Sequence, residues 1–210
     1  MRSVLLPVVA VVTLLPAAAR AQIIDRVLAV IGTEVITLTD ARAALAFGLV
    51  QAPESGDPIR TALTYLIDRQ LELGDVDRYS APEPDRAALD RAFVAVRGRF
   101  AAPGDFAAAM ARTGMTEDRL RDMIRDDLRI AAYVEQRFAG AAQPTDEDVA
   151  RYYKEHPAEF TENGRVVRFE QAENRARVRA AAARRRALVS DWIDRLRQRT
   201  PVTDLYLAGR

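Results

Sequence analysis

HPAEFTENGRVVRFEQ, His156 to Gln171, is the stretch on which the fold turns. A helical run stops at His156 and Pro157, because proline brings no amide to continue it, and an arginine-rich run starts near Glu170. Little lies between them. Two long amphipathic segments are joined almost directly, so both belong to one helical body.

Upstream of that seam, Thr145 and Asp148 make a capping-box-like start for DEDVARYYKEH, preceded by the Gly-Ala-Ala-Gln-Pro connection that ends an earlier helix. That earlier helix opens at Thr116 with Glu117 and Asp118 in its first turn and carries Leu120, Ile124, Leu128, Ala131 and Phe138. A shorter one around Asp105 to Arg112 ends at Gly114, and Leu89, Phe93, Val96 and Phe100 keep the same periodicity after the breaker Ala81-Pro82-Glu83-Pro84. The long run from Pro58 to Tyr79 places Ile59, Leu63, Leu66, Ile67, Leu71 and Val76 at three- and four-residue steps, and Thr39 caps a helix from Asp40 to about Val50.

The ends of the chain read as strand. Ile24 to Ile31 and Glu34 to Thr37 are rich in β-branched residues and flank Gly32-Thr33, a two-residue hairpin turn. A lone hairpin is only marginally stable, and the comparable strands lie far away at Arg165 to Phe169 and at Val202 to Leu207. The expected architecture is mainly α: a multi-helix body with a small β element built from the N-terminal hairpin and a C-terminal strand. Exchange of these terminal elements between two chains would give a homodimer, so monomer and swapped dimer both stay open.

Residues 1–21 read as a signal peptide cleaved after Ala21. Arg2 gives a positive start, Val4 to Leu15 is an apolar run too short to span a bilayer, and Ala19-Arg20-Ala21 has the A-x-A form. The sequence pI of 8.1 counts Arg2 and Arg20; without them 29 basic residues face 30 acidic ones. That balance argues against indiscriminate nucleic-acid binding. Lys154 is the sole lysine, which suggests codon bias rather than a selected phosphate-binding surface. Cysteine is absent, which excludes a cysteine nucleophile, a thiolate metal site and a lipid-modified N-terminal cysteine. No cofactor is expected, and no later segment approaches a membrane span.

IIDRVLAVIGTEVITLTDA after a signal peptide, then ALTYLIDRQLEL, TGMTEDRLRDMIRDDLRIAAYVEQRF and PTDEDVARYYKEHPAEF, in that order, resemble the N-terminal domain of SurA-type periplasmic chaperones. The likeness runs from Ile23 to Phe160, and residues 161–210 look like that family's linker strand, returning helix and final strand, completing the domain begun at residue 22. The resemblance implies a periplasmic protein that holds unfolded or partly folded exported proteins, outer-membrane proteins among them. In larger family members the E-F segment leads into parvulin-type prolyl isomerase domains. Here the returning helix follows after a few residues and His156 is the only histidine, so the isomerase domain is expected to be missing and the chain to be no enzyme.

Catalytic chemistry has little to build on. His156 sits at a helix end, where the dipole favours it, and adjacent acids such as Asp126-Asp127 and Asp146-Glu147-Asp148 point to different faces as surface and capping residues. The run RARVRAAAARRRALVSDWIDRLRQR reads as a helix with Val178, Leu188, Val189, Trp192, Ile193 and Leu196 inward and arginine outside. Phe93, Phe100, Phe106, Met110, Met115 and Met123 fall in one helical region, and flexible Met and aromatic side chains suit a site that accepts many apolar sequences. They are the candidate client-binding residues. Two other functions stay in view: a dedicated assembly partner of one exported protein, and a residual prolyl isomerase.

Overall fold

The computed structural model describes residues 25–79 and 81–207, so the expected signal peptide lies outside the described residues. Val27–Ile31 (β1) and Glu34–Thr37 (β2) pair antiparallel across Gly32-Thr33, with Ile31 opposite Glu34. Gly32 has φ 59°, in the left-handed region where a Cβ would be strained. The other edge of β1 takes Val202–Asp204 (β5), with Ile31 opposite Val202 and Ala29 opposite Asp204, giving the order β2-β1-β5. The last strand thus returns to the first hairpin, as the sequence predicts.

The strand expected over Arg165 to Phe169 does not join this sheet. Thr161–Glu162 (β3) and Arg165–Val166 (β4) form their own hairpin around Asn163-Gly164, and Phe169 already belongs to the next helix. Both turn residues have positive φ, 49° and 77°, which suits the right-handed twist of a tight two-residue hairpin. Local turn chemistry outcompetes the distant sheet.

Among the described residues seven α-helices make up most of the rest: Leu38–Ala46 (α1), Pro58–Arg78 (α2), Arg86–Arg97 (α3), Pro103–Thr113 (α4), Glu117–Phe138 (α5), Asp146–Glu155 (α6) and Phe169–Arg199 (α7). The caps explain where several start. Asp57 accepts from the Ile59 and Arg60 amides, Thr116 from the Arg119 amide, and Thr145 trades bonds with Asp148 as predicted. The expected cap at Thr39 is corrected to Thr37. The last residue of β2 already has the extended backbone that a cap needs and exchanges bonds with Asp40, whereas the Thr39 amide donates to Asp25 at 3.2 Å.

Two cores share one helix. The larger packs Leu28, Phe47, Leu63, Leu120, Trp192 and Leu196 between the sheet and α1 to α5. The smaller joins Val149, Tyr152 and Phe160 to Ala172, Ala176 and Ala180, whose four-residue spacing lets α6 lie close against α7. With 31 residues, α7 is about 46 Å long and reaches across both. Its C-terminal half buries Trp192 and Leu196 with Leu188, Val189 and Ile193 packed alongside, but Val178 is 70% exposed, contrary to the inward position expected from the helical pattern. The alanine stripe, not Val178, faces α6.

Candidate functional site

A groove opens where α2, α5 and α7 meet. Its α2 side is Tyr65, Asp68, Arg69 and Glu72, spaced three, four and seven residues along one face. Asp127, Ile130, Ala131 and Val134 repeat that spacing on α5, and Arg185, Val189 and Ile193 come from α7. The space is about 530 Å³, room for a few side chains of an extended segment. Ile130, Val134, Val189 and Ile193 are half-buried, packed on the larger core below and open to the groove above.

Polar groups fix its floor. Arg69 is buried and donates through Nε to Asp127 at 2.6 Å, and through its Nη2 to the Met123 carbonyl at 2.8 Å and to Asp126 at 3.3 Å. The Tyr65 hydroxyl lies 3.4 Å from Asp127. Burial pushes the Asp127 carboxyl above its usual range against the pull of Arg69, and burial likewise raises the Tyr65 phenol. Asp68, also raised by burial, is held by Arg197 through two bonds of 2.8 and 2.7 Å. Glu72 differs: among the described residues it has no hydrogen-bond or ion-pair partner, and burial, with the Asp68 and Asp127 charges, pushes it up to about 7.

The Phe and Met residues singled out from the sequence do come together, but as packing. Phe93, Phe106, Met115 and Met123 are buried in the larger core, and Phe100 and Met110 are half-buried against it. Phe106 meets Phe47, Phe93 and Phe100 at centroid distances of 5.8, 6.0 and 5.4 Å, all edge to face. The sequence reading missed the α2 face, although its spacing was there to be found.

The smaller core forms a separate module. Tyr153 donates to the Val167 carbonyl and Tyr152 to Glu159 at 3.0 Å; His156 stacks on the Tyr152 ring at 4.0 Å, its Nδ1 2.9 Å from the Tyr152 carbonyl. The arginines of α7 are mostly engaged along its length, Arg175 with Glu162, Arg177 with Asp146 and Glu173, Arg184 with Asp148, and Arg185 with Glu135. Among the described residues no cluster of acids or histidine could hold a metal, and no helix is long and apolar enough to cross a membrane.

The family model of the PPIC-type PPIASE domain matches residues 144–204, less than half of the chain. A solved chain described among the SurA-like chaperones PEB4 and Cj1289 of Campylobacter jejuni matches with a TM-score of 0.55 and 13% identity, covering 87% of this chain and 100% of that one. At that identity the likeness is one of fold, and it agrees with the mainly helical body and small sheet expected from sequence. No curated protein matches the chain.

The match over residues 144–204 overturns the expectation that the chain is no enzyme and conflicts in part with the expectation that the isomerase domain is missing. The matched stretch runs from the approach to α6 through α7 to β5, which here build the smaller core and the returning strand. The expectation rested on the short seam between Phe160 and Glu170 and on His156 as the only histidine, whereas the match extends over the helices on either side of that seam.

Proposed function

We propose that this chain is an exported, ATP-independent chaperone that holds unfolded segments of client proteins, outer-membrane proteins among them, in the groove between α2, α5 and α7. The observation that carries this reading is the half-open apolar lining of Ile130, Val134, Val189 and Ile193, framed by helices fixed on a packed core. Such a lining offers area to any apolar side chain at about 25 cal/mol per Å² and demands no particular sequence. The likeness in fold to chaperones called SurA-like, one of them described as periplasmic, supports both the role and the compartment.

The test is aggregation suppression by the mature chain from Gln22, with an unfolded outer-membrane protein and an unfolded soluble protein as parallel clients. Protection of the membrane protein or of both is expected. Protection of neither at a several-fold excess would sink the holdase reading and favour a dedicated partner of one exported protein.

A second reading has its own observation, the isomerase-family match over residues 144–204. X-Pro isomerisation is slow enough for a binding surface that favours the twisted peptide to accelerate it. A proline-peptide isomerisation assay decides it: turnover above the spontaneous rate establishes the activity, and comparison with His156→Ala shows whether His156 contributes.

A further inference from the structure

Most charges around the groove are cancelled from within. Arg69 sits between Asp126 and Asp127, Asp68 is forked by Arg197, and Arg185 on the α7 side pairs with Glu135. Arg186 is exposed at the outer end of the α7 rim. Glu72 alone on the α2 face has no partner among the described residues, and it is half-buried beside the apolar lining. A carboxylate so placed loses part of its hydration, and in return has only the pull of Arg69, which makes no hydrogen bond or ion pair with it. An arriving cation would restore what it lacks.

We propose that Glu72 selects the clients of this groove, favouring apolar segments that carry a lysine or arginine in position to pair with it. The inference rests on the client-binding reading of the same groove. The apolar lining supplies affinity without sequence preference, and the unpaired carboxylate supplies the discrimination. A segment with a glutamate there would set like charge against Glu72, Asp68 and Asp127 in a half-desolvated space. Arg69 offers no competing cation, because its guanidinium is already committed to Asp126, Asp127 and the Met123 carbonyl.

The pairing carries a pH dependence. Burial and the Asp68 and Asp127 charges, against the pull of Arg69, push Glu72 up to about 7 in the free chain; Tyr65 on α2 and Arg185 on α7 line the same groove, and Asp126 and Arg197 bear on it as the partners of Arg69 and Asp68. A bound ammonium or guanidinium favours the ionised form, so the proton leaves to solvent as the segment binds. Affinity for cation-bearing segments therefore rises with pH through neutrality, while an uncharged segment, which only buries the carboxylate further, gains nothing from its ionisation.

The experiment measures binding of labelled unstructured apolar peptides to the mature chain, with lysine, glutamine or glutamate at the centre, at about pH 8 and about pH 5.5. At the higher pH the lysine peptide is expected to bind about five- to tenfold tighter than the glutamine peptide. The advantage of lysine over glutamine should shrink at the lower pH and vanish in Glu72→Gln. Equal binding of the two peptides by the unaltered chain at both pH values would overturn the selection while leaving client binding in place. So would a lysine preference that survives Glu72→Gln. No binding of any peptide would remove the groove reading and the selection with it. The pH series on the unaltered chain needs no variant to fold.

Discussion

Trp192 donates its indole N–H to the carboxylate of Asp75 at 3.0 Å, across 117 residues of chain, with both side chains buried. The same carboxylate takes the Tyr133 hydroxyl at 3.4 Å and is paired with Arg78 and Arg199, so one acid ties α2 to α5 and to the end of α7. Removing it leaves an indole N–H without its acceptor and the Arg78 and Arg199 guanidiniums without this partner. Asp75→Ala is expected to cost about 3 kcal/mol of unfolding free energy, and Asp75→Asn less, since the amide oxygen still accepts. Urea denaturation checks both, and an Asp75→Ala loss below about 1 kcal/mol would show that the helices are held together elsewhere.

Glu72 should make stability depend on pH in the opposite sense to a paired carboxylate. Its folded value of about 7 lies above the ordinary glutamate value of 4.5, so between those values the folded chain binds more protons than the unfolded one and loses stability as pH rises. Above about 7 the loss is complete and flat. Glu72→Gln is therefore expected to be neutral near pH 4.5 and stabilising by on the order of 2 kcal/mol at pH 8, part of the full shift being screened by solvent. Melting curves of the two chains at both pH values measure it; equal gaps at the two would mean that Glu72 is not perturbed.

Ala131 tests the groove without touching the core. It is exposed and lies on the α5 face that lines the opening. Ala131→Trp fills that space from a position where substitutions usually change stability by under about 0.5 kcal/mol. Aggregation suppression should fall several-fold while the melting temperature stays put. Undiminished protection by the filled variant would place the clients elsewhere, with Phe100 and Met110 the next surface to alter.

Phe160 is the keystone of the smaller core, meeting the Tyr153 ring at 5.0 Å and the Tyr152 ring at 6.3 Å. Phe160→Ala is expected to remove about 3 kcal/mol locally. Hydrogen exchange would report it as lost protection in α6 and the β3–β4 hairpin with α2 and α5 unchanged. A uniform loss across all helices would mean that the two cores unfold as one.

Much of this fold could be read from pattern alone. Helices α2, α5 and α6 follow from apolar spacing, the last two also from the capping residues Thr116 and Thr145, and the return of β5 follows from the need of the first hairpin for a third strand. The readings that failed turn on one-residue geometry or on distant partners. Thr37 rather than Thr39 caps α1 because the strand reaches that far, and Asn163-Gly164 closes a hairpin of its own. The candidate site was less legible. Methionine and phenylalanine draw the eye, yet they also fill cores, and here four of the six singled out are buried. The Tyr65, Asp68, Arg69 and Glu72 face was visible as spacing, but that Arg69 is neutralised and Glu72 is not depends on where α5 and α7 come to rest.

The pairing of β1 with β5 also sets the order in which the molecule can be completed. Residues 27–31 emerge early, but their second neighbour is the segment Val202–Asp204, so the middle strand of the sheet waits for nearly the whole chain. Helices α2 to α6 can form and collide while the strand waits, yet closing the loop between β1 and β5 is the contact of longest sequence separation in the sheet and is entropically late. A nascent chain is thus left unfinished until the strand beyond α7 has been delivered, and a protein proposed to shelter the unfolded chains of others passes through that condition itself.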